Sequence, residues 1–248
     1  MNAFVKLMNF DLKLYFRDYI TIFWVLIYPI LMLGIFGSMY GDQPGIAPGT
    51  RYIDYYVPAL CVLNVISVSL FTLNINMITQ RESGVLRRYR VSPVSKSSIL
   101  ASHAVQGVIL VLLGAFELIV ISKLVWDIEI SAIATLQLAI CLLFGCLCFF
   151  TLGFAMSGLT KTAGAGSGFA MVIFFPMLFL SGIMMPIELL PNILQTLSDW
   201  LPVAYYVTLA QEVWLGEPIY HFGKEIAIVL GFGAVCTCLA FWLFKWEN

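Results

Sequence analysis

The sequence predicts an all-α integral membrane protein, with six transmembrane helices, an N-terminal interfacial amphipathic helix and short re-entrant helices between the fifth and sixth spans. Three observations predict it. Of the 248 residues, 61% are hydrophobic and only 11% charged, where soluble domains run nearer a quarter charged, so a soluble fold would keep a greasy surface. The apolar runs last about twenty residues or more, the length a helix needs to cross a hydrocarbon core of roughly 30 Å. They also lack the short alternating segments of a β-barrel, and helices satisfy their own backbone in lipid. An ordinary cytosolic enzyme and a disordered chain are excluded. The net charge of −1 leaves no footprint for nucleic acid.

The chain reads as one domain, 1–248, that opens with a helix over 2–19. Wound as a helix, Lys6, Asn9, Lys13 and Arg17 form a basic stripe, while Phe4, Leu7, Met8, Leu12, Tyr15 and Phe16 cover much of the rest. Such a helix lies in the interface with its cations near anionic headgroups, as an anchor or in part as a docking element. Charge-poor runs then fall at about 20–40, 56–79, 99–122, 132–157, 164–186 and 225–244. The first is too long for a signal-peptide core and lacks a small-x-small cleavage site, so it is expected to remain as a span. Between the fifth and sixth, 187–224 is half-apolar but interrupted by Pro191, Pro202 and Pro218. Helices dipping into the interface are expected there.

Six spans put both termini on one side. With the N-terminus inside, the inner segments hold ten cations, Lys6, Lys13, Arg17, Arg81, Arg87, Arg88, Arg90, Lys96, Lys161 and Lys245, and the outer ones three, Arg51, Lys123 and Lys224. That bias places both termini in the cytoplasm. The inner loop between the second and third spans carries five of those cations within 81–96. A short helix from Glu82 to Arg90 would group Val85, Leu86 and Tyr89 on one side, and Pro93 would stop it. The loop either enforces topology or offers a cytoplasmic partner a grip.

Catalytic chemistry is not written in the chain. There is no phosphate-binding loop, and Gly164, Gly166 and Gly168 open a membrane run where small residues let helices approach. His103 and His221 fall on opposite sides as interface residues, and the six cysteines lie in apolar runs as small lipid- or core-facing residues. Within the spans, Glu117 is about 8 Å from the outer end of the third. It either snorkels, bonds inside the bundle or meets a polar or cationic substrate. Asn64, mid-way through the second span, either bonds to another helix or lines a wet path. Trp200, Tyr205, Tyr206 and Trp214 suit an interfacial belt or a face for an amphiphile.

Several of these stretches resemble the membrane subunits of type-2 ABC exporters. The resemblance covers nearly the whole chain: Arg17-Asp18 and Tyr28-Pro29 at the first span, Tyr55-Tyr56-Val57-Pro58-Ala59 at the second, Arg81-Glu82, Gly84, Leu86, Arg88 and Pro93-Val94-Ser95 in the loop. The stretch Phe179-Leu180-Ser181-Gly182 to Pro186, with Leu190-Pro191, Leu201-Pro202 and Tyr205, is similar to the signature after the fifth span. Gln211-Glu212 departs from it, where a Glu-Ala-Arg-like stretch is expected. The resemblance implies a non-catalytic half-transporter in a bacterial cytoplasmic membrane, paired with a second permease subunit, identical or related. Two separate ATP-binding subunits, holding ATP and Mg, would power it. Arg81, Glu82, Gly84, Leu86, Arg87, Arg88, Tyr89, Pro93 and Lys161 would then serve coupling, and Ser181, Gly182, Pro186 and Pro202 the outer gate. Asn64, Glu117, Tyr205 and Tyr206 are the candidates for a substrate path. The expected cargo is amphipathic, a drug, peptide or lipid; the rivals are a polysaccharide or teichoic-acid exporter and an ion-coupled secondary transporter.

Overall fold

The computed structural model describes residues 19–45, 49–86, 96–187 and 190–243. All but the last residue of the expected helix at 2–19, and the loop residues Arg87, Arg88, Tyr89 and Pro93, lie outside them. Within the described residues, six helices are long and apolar enough to cross a membrane: Phe23–Tyr40, Tyr52–Glu82, Ile99–Trp126, Ala132–Ser157, Ala163–Leu180 and Gly223–Leu243. Among the described residues there is no strand, and the one β-bridge joins Pro44 to Arg51. The two ends of the bundle are called here basic, at Glu82, Ser157, Ala163 and Leu243, and acidic, at Tyr40, Tyr52, Trp126, Ala132, Leu180 and Gly223.

The second span is the axis. It is enclosed over its whole hydrophobic window, whereas the sixth buries 17% of its own. Its neighbours each turn one narrow face to it. The first buries Val25, Pro29, Leu33 and Gly37, and the fifth Gly166, Ala170, Phe174 and Leu178. A spacing of four keeps such residues on one side of a helix, leaving the other side for lipid or another chain. The third span runs its buried stripe through Gln106, Leu110, Gly114, Leu118 and Ser122.

The second span is longer than the expected 56–79. Asp54 accepts the backbone amide of Arg51 at 2.9 Å and starts it early. It ends where Gly84 takes a left-handed φ of +74° and donates its amide to the Arg81 carbonyl at 3.1 Å. The fifth span is shorter than 164–186: its helix stops at Leu180, and Gly182, with φ +82°, turns the chain away. Two spans contain π-helical turns, Phe23–Ile27 in the first and Val68–Leu73 in the second. There the Trp24 and Phe71 rings stack at 4.4 Å, with Phe174 edge-on to both.

The segment after the fifth span folds as two helices, Asn192–Ser198 and Pro202–Trp214. Pro202 at the first turn suits a helix start, since its missing donor would have no partner there. The second helix goes deeper than an interface. Val203, Tyr206, Val207, Ala210 and Val213 are buried, and the Tyr206 hydroxyl donates to the carbonyl of Cys141 at 3.3 Å. Cys141 stands nine residues into the fourth span, about 14 Å along it. The helix therefore wedges between the second, fourth and sixth spans from the acidic end.

Candidate functional site

At the basic end, Arg81 and Glu82 join three helices. Arg81 is 7% exposed, and its guanidinium donates to the Ser157 carbonyl at 2.8 Å and to the Thr160 carbonyl. The last carbonyls of a helix lack intrahelical donors and carry its partial negative charge, so a cation is favoured there. Glu82 accepts the Ala163 amide at 3.1 Å, at the start of the fifth span, where Thr162 accepts the amide of Ala165 at 3.3 Å. A carboxylate is favoured at that positive helix end for the converse reason. Adjacent residues of opposite charge thus grip opposite helix ends across the 158–162 turn.

Both side chains hydrogen-bond to the turn of their own chain, Arg81 buried against it and Glu82 exposed. Gly84 supplies the sharp stop, and Leu86 is buried at 1% exposure. Lys161 lies exposed on the same turn, so the structure brings Arg81, Glu82 and Lys161 to one end. Nearby, His103 is buried and lies 3.2 Å from the Gln80 side-chain oxygen, which corrects its reading as an interface residue. His221 is at the opposite end, paired with Glu217.

At the acidic end, Ser181, Gly182 and Pro186 share a cavity of about 290 Å³ with Tyr52, Tyr55, Tyr56 and Gln211. Two signature stretches 120 residues apart in sequence therefore meet in one place. The Tyr52 hydroxyl donates to the Met184 carbonyl at 3.3 Å, and the Gln211 amide donates to the Tyr55 carbonyl at 3.2 Å. Pro58, lacking an amide hydrogen, interrupts the second span's ladder one turn further on. Gln211, the departure from the expected pattern, is thus a bridge from the wedge helix to the second span. Its neighbour Glu212 has its carboxyl pushed up by burial and then by the charge of Glu217. At the rim, the hydrogen bond and charge of Lys123 hold the Asp127 carboxyl below the usual range.

The substrate-path candidates do not converge. Asn64 is fully buried at mid-span, and neither polar atom of its amide has a hydrogen-bond partner among the described residues. A Cβ at Gly114 of the third span would run into that amide. Glu117, one turn further along, is half-buried. Tyr205 donates its hydroxyl to the Asp199 carbonyl at 2.9 Å, with Lys224 over its ring. Tyr206 and Trp214 are buried in the bundle, so neither belongs to an interfacial belt, whereas Trp200 is 81% exposed. Gly166 meets Ile78, while Gly164 and Gly168 meet nothing within 4 Å, so one of those three glycines serves close packing.

The model of the ABC-2 type transporter family matches residues 2–215. The chain belongs to that family. It is a multi-pass membrane permease of the ABC-2 type, and curated relatives match it along most of their lengths. The putative transport permease YvfS of Bacillus subtilis is 25% identical over 234 residues, covering 94% of this chain and 93% of the relative. The daunorubicin resistance ABC transporter permease protein DrrB1 of Streptomyces coeruleorubidus is 22% identical over 230 residues, 90% of this chain and 77% of that one. The inner membrane transport permease YadH of Escherichia coli K12 is 24% identical over 215 residues, 86% and 80%. The residues described above are placed by helix ends and helix contacts, that is, by helix geometry. Two features of that geometry had no signal in the sequence: the π-turn at Val68–Leu73, which contains neither Gly nor Pro, and the inward aim of Arg81.

Proposed function

We propose that this ABC-2 permease is the membrane half of an ATP-driven exporter that moves an amphipathic substrate out of the cytoplasm, worked by a separate ATP-binding subunit. The clamp at Arg81 and Glu82 carries the reading. A force on the 81–96 loop reaches the second span directly and, through these two side chains, the ends of the fourth and fifth. A partner seated there would act on three helices at once. ATP and Mg belong to two such partners. Nucleotide drives the cycle by stabilising one arrangement of the permease over another. A second permease chain, identical or related, completes the path, and the first and fifth spans have broad faces uncovered within this chain. The excess of cations at the basic end supports a cytoplasmic place for that end and for both termini in a bacterial cell.

The drug-resistance name of one relative and the neutral, tyrosine-rich cavity beside Ser181 favour an amphipathic, drug-like cargo. Reconstitution of the permease with candidate ATP-binding proteins tests the reading. The pair should co-purify, and vanadate should stop transport. The double variant Glu82→Ala with Arg88→Ala should uncouple hydrolysis from export. Unchanged coupled transport in that variant overturns the loop assignment. A secondary transporter would instead need an ion gradient, ignore vanadate and fail with Glu117→Gln.

A further inference from the structure

The cavity at the acidic end holds two hydroxyls without partners. Tyr56 and Ser181 both line it and are 2% and 0% exposed. Neither hydroxyl oxygen has a hydrogen-bond partner among the described residues. Three further polar side chains on the same wall are engaged. Tyr52 donates its hydroxyl to the Met184 carbonyl, Thr208 donates to the Ala204 carbonyl at 3.2 Å, and the Gln211 amide donates to the Tyr55 carbonyl. Elsewhere in the chain a serine or threonine hydroxyl is taken up by the carbonyl one turn back, as at Ser122 and Thr237. Ser181, directly after the fifth span, makes no such bond. Buried polar groups are nearly always satisfied, because an unpaired one is costly. Two of them on one cavity of about 290 Å³ form an arrangement that a ligand's polar atom would complete.

The rest of the wall sets the class of ligand. The Tyr52 and Tyr56 rings stack at 5.2 Å, and Ile183 and Met185 add apolar surface, so the wall suits a flat or ring-shaped apolar body. None of the described residues on it is charged. A charged ligand would lose its water there and find no counter-ion. A ketone or amide carbonyl needs only a donor, and a phenol or an alcohol supplies one. The second span begins and the fifth ends beside the cavity, which puts it at the border of the hydrocarbon layer. We infer that this cavity is a binding site for a neutral, largely apolar compound carrying a carbonyl acceptor, with the Tyr56 and Ser181 hydroxyls as its hydrogen-bond donors. That such a compound is cargo rests on the exporter reading; the site itself stands on this chain alone.

Photolabelling of the purified full-length protein in lipid nanodiscs with benzophenone, a neutral aromatic ketone, tests it. Peptide mass spectrometry should place the adduct within 52–56 or 181–187. Fluorenone, which has a carbonyl, and fluorene, which lacks it, then compete for the label. The double variant Tyr56→Phe with Ser181→Ala, in identical nanodiscs, reports the ratio of their potencies set by partitioning into lipid. In the wild type that ratio should favour fluorenone by about tenfold more, and each single variant should lie between. All three variants should melt at or above the wild type, since each removes an unpaired buried hydroxyl. Ser67→Ala removes another such hydroxyl away from the cavity, and its ratio should stay at wild type. The cationic relative (4-benzoylbenzyl)trimethylammonium should label these segments at least about tenfold less. Label confined to other segments, or one ratio shared by the wild type and the double variant, overturns the site. Equal labelling by the cation overturns the neutral class. If labelling behaves as stated but no ATP-binding partner drives transport, the exporter reading fails and the site stands. If ATP-driven transport is found without that labelling, the site fails alone.

Discussion

Removing the Arg81 guanidinium should destabilise the bundle by an amount that its contacts let us work out. The side chain makes two charge-assisted hydrogen bonds, to the Ser157 and Thr160 carbonyls, each worth about 1.5–3 kcal/mol when one partner is charged. It also places a cation at the end of the fourth span, worth about 0.3–1 kcal/mol. Against this, the Arg81 Nε is buried without a partner among the described residues, and removing such a group recovers about 1–3 kcal/mol of desolvation. The net loss for Arg81→Met, which keeps most of the volume and none of the donors, is then about 3 kcal/mol. For a domain of this size that corresponds to a melting temperature lower by about 6–12 °C. Arg81→Lys keeps the charge but presents one ammonium where the guanidinium forks, so about half of the loss should remain. Melting of the three proteins in identical nanodiscs, followed by tryptophan fluorescence, decides it. If Arg81→Met melts with the wild type, the guanidinium does not hold the turn, and the route from loop to fourth span is refuted.

Tyr206→Phe removes a buried hydroxyl bonded to the Cys141 carbonyl and should cost about 1 kcal/mol. Tyr206→Ala should cost about 3–5 kcal/mol, and a normal melting temperature for it would return Tyr206 to the list of substrate contacts. Gly114→Ala puts a methyl where the Asn64 amide lies and should cost about 1–3 kcal/mol. Asn64→Ala in the same chain should restore most of that, a coupling that a double-mutant cycle reads directly. Gly84→Ala meets no atom within 4 Å but must hold φ +74°, so its penalty should be backbone strain alone, about 1–2 kcal/mol, and smaller for Gly84→Asn. Glu212 has its folded-state pKa raised by burial and by Glu217. The folded protein therefore binds a proton more readily than the unfolded chain. Stability from this group is fully present below the unfolded carboxylate pKa and is lost as pH rises through the raised one. The melting temperature should fall over that window, and Glu212→Gln should flatten the slope.

The membrane fold was legible because its signals are summed over many residues. Length, hydropathy and charge asymmetry place six spans, and single side chains barely affect the result. The boundaries failed where a local device moved them: the Asp54 cap started the second span early, and Gly182 stopped the fifth at Leu180. The site was legible only as a set of residue types. Arg81-Glu82 and Ser181-Gly182 stand out by spelling, yet the direction in which Arg81 points depends on where the fourth span ends, 76 residues later. Tyr206 and Trp214 read as a belt because aromatic residues in a proline-broken segment usually are one. Burial by the second, fourth and sixth spans decided otherwise, and a sequence carries no mark of that.

The second span shows why enclosure and polarity belong together. It is wrapped on all sides, yet the Tyr56 hydroxyl, the Asn64 amide and the Ser67 and Thr72 hydroxyls along it have no hydrogen-bond partners among the described residues. Each buried, unpaired polar group costs about 1–3 kcal/mol, so this arrangement holds the axis at a raised free energy compared with one that pairs or wets those atoms. A helix selected only to be a core would be apolar at these positions, as the faces of the first and fifth spans turned to it largely are.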